Sequence, residues 1–164
     1  IDAQVPGLWV YYCCAQSSLV PNRFFAMESA RNRIMGVLMY LYGIKGFLHW
    51  GYNFYNSKFS LHPVDPYRVT HADYAFPSGD PFLVYPGPDG APLSSVRAEV
   101  QDDALLDLRA LQLLEQLAGR AFVEELIYAD AEMRPMTFRD YPRGAGYLLA
   151  LRERVAAEIE SRLA

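Results

Sequence analysis

Four residues between positions 50 and 55 carry side chains suited to binding a flat, polar ligand. Trp50, Tyr52 and Tyr55 offer aromatic rings, and Asn53 offers an amide that both donates and accepts hydrogen bonds. A sugar ring presents an apolar C–H face for stacking and hydroxyl groups that pair with an amide. Tyr85, which ends a later apolar run, is expected to direct its phenol to the same side. The alternative is that Trp50 and Tyr52 fill a core, the commoner use of aromatic residues.

Arg97 and Glu99 lie near the predicted start of a long helix that Ser94 and Ser95 can cap. A cation near a helix N-terminus is unfavourable unless it is paired, so Arg97 is expected to reach a carboxylate or the carbonyls of the Tyr85–Gly87 loop. This predicts a structural brace beside the site rather than a ligand contact. Glu99 is expected to complement the positive end of the helix dipole.

The remaining titratable residues predict neither a nucleophile nor a metal site. His49 lies within a predicted strand and is expected to be a satisfied core residue. The adjacent Cys13 and Cys14 lie in an apolar run with no nearby cationic pattern to activate a thiol. The long loop after position 50 holds further histidines and aspartates, whose spacing matches no ligand pattern: His62, His71, Asp65, Asp73 and Asp80. No cofactor is expected.

The hydrophobic pattern predicts the elements that must position these residues. Continuous apolar runs predict strands at 8–14, 46–50 and 82–85. Helical spacing predicts helices at 26–42, 96–118, 121–131 and 146–163. Gly43 is expected to end the first helix, and Gly119 to separate the second from the third. Strand, loop and helix in this order are typical of α/β proteins.

Length and charge narrow the class of protein. A chain of 164 residues, 52% of them hydrophobic, suits one domain. The formal net charge of −4 and the lack of a basic run argue against a nucleic-acid partner. No apolar stretch reaches the roughly 20 residues that span a bilayer, so no membrane partner is predicted.

A parallel sheet of about three strands with helices on one face would leave its other face bare, whereas a complete (β/α)₈ barrel needs about 250 residues. We therefore expect an α/β fold that forms the C-terminal portion of a (β/α)₈ TIM-type barrel. Residues 1–118 are the predicted partial barrel, and residues 119–164 a helical extension packed on the same domain. The start at Ile1, without a methionine, suggests a piece of something longer. Either the missing N-terminal half of the barrel or self-association would then cover the bare face.

Several short motifs follow one another in a distinctive order over residues 5–115. They are Leu8-Trp9-x-Tyr11, Pro21-Asn22, Tyr42-Gly43-Ile44-x-Gly46-Phe47-Leu48-x-Trp50, Asn53, Asp65-Pro66, Gly79-Asp80-x-Phe82-Leu83-Val84-Tyr85-Pro86-Gly87 and Ser94-x-x-Arg97-x-Glu99. In order and spacing this set resembles the C-terminal part of the glycoside hydrolase family 123 catalytic domain and its uncharacterised relatives, domain-of-unknown-function family 4091. The tail after Ala118 adds nothing to the resemblance.

The resemblance implies a barrel that acts on β-linked N-acetylgalactosaminides, with the substrate's acetamido oxygen as nucleophile. In that family an adjacent Asp-Glu pair does the chemistry, the Asp orienting the acetamido group and the Glu protonating the leaving oxygen. This sequence contains no Asp-Glu dipeptide; its adjacent acid pairs are Asp102-Asp103 and Glu124-Glu125, both in predicted helices. No catalytic residue is therefore assigned in this chain, which alone is expected to be inactive.

Three functions stay open on the sequence. The chain could supply part of the sugar-binding rim of a glycosidase-like barrel, with an N-acetylhexosamine-type glycan as partner. It could instead be a non-catalytic carbohydrate-binding or scaffolding module. The third possibility is a self-associating α/β module with no sugar role.

Overall fold

A computed structural model describes residues 6–164 of the chain. In chain order its strands are β1 (Trp9–Tyr11), β2 (Gly46–Leu48), β3 (Tyr85–Pro86) and β4 (Pro92–Leu93), and its α-helices are α1 (Ser29–Arg33), α2 (Met35–Tyr42), α3 (Val96–Ala118), α4 (Arg120–Tyr128) and α5 (Ala145–Leu163). A 3₁₀ helix, Cys14–Leu19, follows β1. Residues 1–5 of the predicted 1–118 unit lie outside the described range.

The first two strands pair in parallel, as a βα series predicts. Trp9 lies opposite Gly46, and Tyr11 lies opposite Leu48. The chain between them forms α1 and α2, because parallel neighbours require a crossover connection. Gly43 ends α2 in the left-handed conformation at φ 64°, and its N–H bonds back to the helix. Both strands are shorter than predicted.

The two faces of the β1–β2 pair differ sharply. Val10 and Phe47 pack against a core of α2 and α3 residues that includes Met35 and Met39. The opposite face carries apolar side chains that are half or more exposed: Trp9 at 64%, Tyr11 at 50% and Leu48 at 50%. Within residues 6–164 no element covers this face.

The strand predicted over 82–85 does not join the parallel sheet. Phe82, Leu83 and Val84 are buried as expected, but the regular pairing begins only at Tyr85, where β3 forms an antiparallel hairpin with β4. The N–H groups of Leu83 and Val84 donate instead to the Tyr52 carbonyl, at 2.8 and 3.3 Å. An apolar run predicts that a segment is buried, but it does not identify the segment with which it pairs.

The long helix α3 has the predicted limits. The Ser95 hydroxyl accepts a hydrogen bond from the Ala98 N–H at 3.3 Å, which caps the first turn, and Gly119 at φ 82° ends the helix. The helix packs closely on α2, where a β-carbon at Gly36 would lie 1.9 Å from the Ala104 carbonyl oxygen. Only glycine fits that crossing.

The helices after Gly119 share the core of the preceding ones. The main cluster of buried side chains joins α2, α3, α4 and α5 through Ile34, Leu38, Leu111, Leu114, Val123, Ile127, Leu148, Leu151 and Val155. Among residues 6–164, no helix combines the length and hydrophobicity that a membrane crossing requires.

A buried carboxylate on α3 connects three helices. Asp107, only 6% exposed, accepts hydrogen bonds from the Arg33 guanidinium at 2.7 and 3.1 Å and from Arg152 Nη1 at 2.5 Å. Arg33 is the last residue of α1, and Arg152 lies in α5. This carboxylate therefore ties the C-terminal helix to the helices that flank the sheet.

We expect Asp107→Ala to lower the free energy of unfolding by about 3 kcal/mol, because it leaves partly buried guanidinium groups without their counter-ion. Urea denaturation followed by circular dichroism measures the change. Asp103→Ala is the matched control, since Asp103 is half exposed and lies 3.9 Å from the same Arg33; it should cost less than about 1 kcal/mol. Equal losses in the two variants would contradict the role of Asp107.

Candidate functional site

The predicted ligand-contacting residues are brought together by one stretch of chain, residues 80–85. Four of them contact this stretch, and the fifth, Tyr85, belongs to it. Trp50 Nε1 donates to Asp80 Oδ2 at 3.0 Å, and the Tyr52 carbonyl accepts from Leu83. Asn53 forms an antiparallel bridge with Phe82. The Tyr55 hydroxyl donates to the Val84 carbonyl at 2.7 Å, and Tyr85 ends the stretch. The loop after β2 folds back on residues 80–85, and this contact brings the predicted residues together.

Trp50 is a half-buried residue with a fixed orientation. Its ring packs on Phe54 and Phe76, with centroids 5.3 and 4.6 Å away, and its N–H is used by Asp80. The Trp50 ring is therefore partly used for packing, as the core-packing alternative predicts. Tyr52, by contrast, is 52% exposed, and Asn53 is exposed beside it. These two side chains, with the exposed edge of Trp50, form the accessible part of the cluster.

A second aromatic group surrounds Tyr85. Its ring stacks on Tyr67 at 5.0 Å between centroids and meets Phe82 edge-on at 5.1 Å. Tyr55 packs on the same Phe82 ring at 5.9 Å. The Tyr67 hydroxyl donates to the Pro86 carbonyl at 2.9 Å, which fixes that ring over the hairpin. Sequence reasoning did not identify Tyr67, which lies in a long loop without a regular pattern.

Arg97 binds backbone carbonyls, although not the expected ones. Its Nη1 donates to the Gly79 carbonyl at 2.5 Å and to the Arg23 carbonyl at 3.2 Å, not to the Tyr85–Gly87 loop. The guanidinium lies between Phe25 and Phe82, at 4.6 and 5.6 Å from their centroids. Burial lowers the pKa of Arg97 to about 10, and the nearby Tyr85 phenol opposes that shift. Arg97 therefore holds the start of the 80–85 segment.

Glu99 is exposed in the first turn of α3 and accepts a hydrogen bond from the Ser94 hydroxyl. Beside this helix start lies an open groove of about 640 Å³ lined by Phe24, Phe25, Met27, Ser29, Tyr85, Ser94, Ser95, Val96 and Arg97. Two of the predicted site residues, Tyr85 and Arg97, thus border a groove, whereas Trp50, Tyr52 and Asn53 lie outside it.

A buried polar group lies where β1 and β2 end, and sequence reasoning missed it. Arg23 is 1% exposed; its Nε donates to Gln101 at 2.9 Å, and its guanidinium lies 4.3 Å from the Phe47 ring centroid. His49 is half-buried, and backbone groups of Asp80 and Gly51 beside its ring oppose the fall in its pKa. Asp80 is fully buried, and Cys14 and Trp50 are hydrogen-bond partners of its carboxylate. The signal available in the sequence was the presence of polar residues at the carboxyl ends of two predicted parallel strands, where α/β proteins place their sites.

Burial governs the protonation of this group. It lowers the pKa of His49 to about 3, and the charges of Arg23 and Arg97 add to the effect. It raises the pKa of Asp80, against the hydrogen bond from Trp50. It also raises the pKa of the Cys14 thiol to about 12, with the Asp80 charge contributing. At neutral pH His49 is therefore uncharged and Cys14 is a thiol, which is not a nucleophile.

The order of motifs and the parallel β1–β2 pair agree with a comparison to known families. Residues 2–114 match the model of the family described as glycoside hydrolase 123, catalytic domain. The chain belongs to this family. The match ends inside α3, close to the limit of the resemblance predicted from the motifs. No curated protein sequence matches the chain significantly.

Membership in this glycoside hydrolase family gives the site its chemical context. The described residues contain no group of three or more His, Cys, Asp and Glu side chains that could hold a metal ion. The accessible groups of the cluster are aromatic faces and one amide, which are capable of stacking and of hydrogen bonding.

We expect acidification to destabilise the fold through His49. Because the pKa of His49 is about 3 in the folded state and near 6.5 when unfolded, the unfolded state binds more protons between these values. Stability from this group is present above pH 6.5 and is lost as the pH falls, by about 3 kcal/mol at pH 4.5. Urea melts from pH 7.5 to 4.5 measure this loss.

His49→Gln should flatten the pH dependence, because glutamine does not titrate. Parallel profiles for wild type and His49→Gln would show that His49 does not titrate in this way.

Proposed function

We propose that this chain supplies part of a carbohydrate-binding rim in a glycosidase-like barrel. The observation that carries the proposal is the position of Trp50, Tyr52 and Asn53 just beyond the carboxyl end of β2, at the end of a parallel pair. In α/β barrels this end of the strands holds the ligand site. The family to which the chain belongs is one of glycoside hydrolases.

Each side chain has a separate role in this proposal. Tyr52 stacks on the apolar face of a sugar ring, and Asn53 pairs with its hydroxyl or acetamido groups. Trp50 forms the inner wall, and its hydrogen bond to Asp80 sets the ring angle. Tyr55 and Tyr85 line the adjoining aromatic surface, with Arg97 and Glu99 bracing the segment and helix behind it. The ligand class is an N-acetylhexosamine-type glycan, carried over from the family resemblance.

The catalytic step is assigned outside this chain. The sequence has no Asp-Glu pair, and Asp80, the carboxylate nearest the cluster, is fully buried and bonded to Trp50. We therefore propose that the chain binds sugar without cleaving it. The acid pair would belong to a further part of the barrel.

The same proposal accounts for the bare face of the β1–β2 pair. Trp9, Tyr11 and Leu48 project from the side opposite the helices, which in a (β/α)₈ barrel is the interior. Each strand also has one edge with no partner strand among residues 6–164. Further parallel strands would satisfy these backbone groups and cover the apolar face.

We expect N-acetylgalactosamine or N-acetylglucosamine to change Trp50 fluorescence in a saturable way, with a millimolar Kd. The chain has two tryptophans, so Trp9→Phe isolates the Trp50 signal. In this background Tyr52→Ala should weaken binding about tenfold, since one stacking contact is lost. Tyr52→Phe keeps the ring and should retain the affinity. No emission change at high millimolar concentrations of either sugar would overturn the rim assignment.

Self-association is the second candidate function, and the exposed sheet face favours it. We expect light scattering to report concentration-dependent self-association, because about half of each of three large apolar side chains is exposed on this face. Replacing Tyr11 and Leu48 together by serine should reduce it. Leu149→Ser is the control, since Leu149 on α5 is equally exposed at 53%. A monomer with a cooperative melt at all concentrations would exclude dependence on a partner.

A further inference from the structure

A fully buried carboxylate joins the two chain segments that leave the parallel strands. Asp80 is 0% exposed, and its Oδ2 accepts a hydrogen bond from the Trp50 indole N–H at 3.0 Å. The thiol and the backbone N–H of Cys14 are further hydrogen-bond partners of the same carboxylate. Cys14 follows β1 in the chain, and Trp50 follows β2. Asp80 therefore connects the carboxyl ends of both strands, although it belongs to neither of them.

Two acceptors lie beside the single proton of the Cys14 thiol. Cys13 Sγ is 3.9 Å from Cys14 Sγ, but sulfur is a weak acceptor and a carboxylate is a strong one. Burial and the Asp80 charge raise the pKa of the Cys14 thiol to about 12, so the proton stays on sulfur at neutral pH. The half-buried Cys14 is therefore a donor to Asp80.

Asp80 is itself held in place through its backbone. Its N–H donates to the Pro77 carbonyl at 3.1 Å, and Arg97 Nη1 donates to the carbonyl of the preceding Gly79. Gly51 packs on the other side, where a β-carbon would lie 2.2 Å from the Asp80 carbonyl oxygen. The carboxylate therefore has a fixed position, against which its two side-chain donors are set.

We propose that Cys14 and Asp80 are positioning residues of the rim: the thiol orients the carboxylate, and the carboxylate fixes the Trp50 ring on which a sugar binds. This inference rests on the proposed function and extends it to a residue on the β1 side of the sheet. The contacts of Trp50 with Phe54 and Phe76 are apolar and weakly directional. The hydrogen bond to Asp80 is directional, so it selects one orientation of the ring.

The test measures hydrogen exchange of the Trp50 indole N–H by NMR. It also measures the affinity for N-acetylglucosamine and N-acetylgalactosamine from Trp50 fluorescence in the Trp9→Phe background. Cys14→Ala should speed the exchange about tenfold and weaken sugar binding about fivefold, the size of one hydrogen bond to a charged group. Cys14→Ser keeps a donor and should stay within about twofold of the wild type in both measurements.

Cys13→Ala is the matched control for loss of a thiol. The Cys13 thiol pairs with the Tyr11 phenol, so its removal should leave indole exchange and sugar affinity within about twofold of the wild type. Circular dichroism melts check that each variant is folded.

A double variant separates one connected link from two independent effects. Asp80→Asn keeps the shape of the side chain but removes its charge, and it should speed indole exchange at least as much as Cys14→Ala. The two changes combined should cost no more than Asp80→Asn alone, because the thiol acts through the carboxylate. Effects that add in full would show that Cys14 acts by another route and would overturn the proposal.

The outcomes separate this proposal from the proposed function. Faster exchange and weaker binding in Cys14→Ala, both restored in Cys14→Ser, support it. If Cys14→Ala exchanges at the wild-type rate, the proposal is overturned. If exchange is faster but a sugar that binds the wild type keeps its affinity, the proposal is also overturned and the rim stands. If the wild type binds neither sugar, both proposals fail.

Discussion

The pairing of residues 52–55 with residues 81–84 is the contact on which the candidate site depends. The Tyr52 carbonyl accepts the N–H groups of Leu83 and Val84, and the Phe54 N–H donates to the Pro81 carbonyl at 3.0 Å. Gly51 makes this approach possible, because a β-carbon there would lie 2.2 Å from the Asp80 carbonyl oxygen. The contact aligns two irregular segments, neither of which would hold its aromatic side chains in fixed positions alone.

The buried Arg23 and the half-buried Arg97 stabilise the same region at an electrostatic cost. Arg23 and Arg97 each place a guanidinium against aromatic rings, where a weakly hydrated planar cation loses less on burial than an ammonium would. Their charges help to keep His49 neutral, and Asp80 is the buried carboxylate that balances them. The ends of β1 and β2 therefore meet a positively charged, desolvated environment.

Parts of this fold could be predicted because their signals are local. The limits of α3 follow from a capping serine and a terminal glycine, the parallel β1–β2 pair follows from the βα order, and the motif order identified the family. The 82–85 segment was predicted to join the parallel sheet, but it pairs with other segments. An apolar run indicates that a segment is buried and does not identify the segment that lies beside it. The neutral state of the half-buried His49 was not predicted, because its burial and the charges of Arg23 and Arg97 that lower its pKa depend on distant parts of the chain. Those contacts are set by tertiary packing, which a single sequence does not display.

The residues beyond the family match contribute side chains to the same buried cluster as the residues within it. The match stops at residue 114, yet Leu111 and Leu114 belong to one buried cluster with Val123 of α4 and with Leu148 and Leu151 of α5. Without these helices, the face of α3 that carries Leu111 and Leu114 would be more exposed. Asp107 would also lose its hydrogen bond from Arg152. Since Arg97 on the first turn of α3 holds residues 79–82, the position of α3 controls the position of the site. The C-terminal helices therefore pack on the same 23-residue helix whose first turn contacts the candidate site.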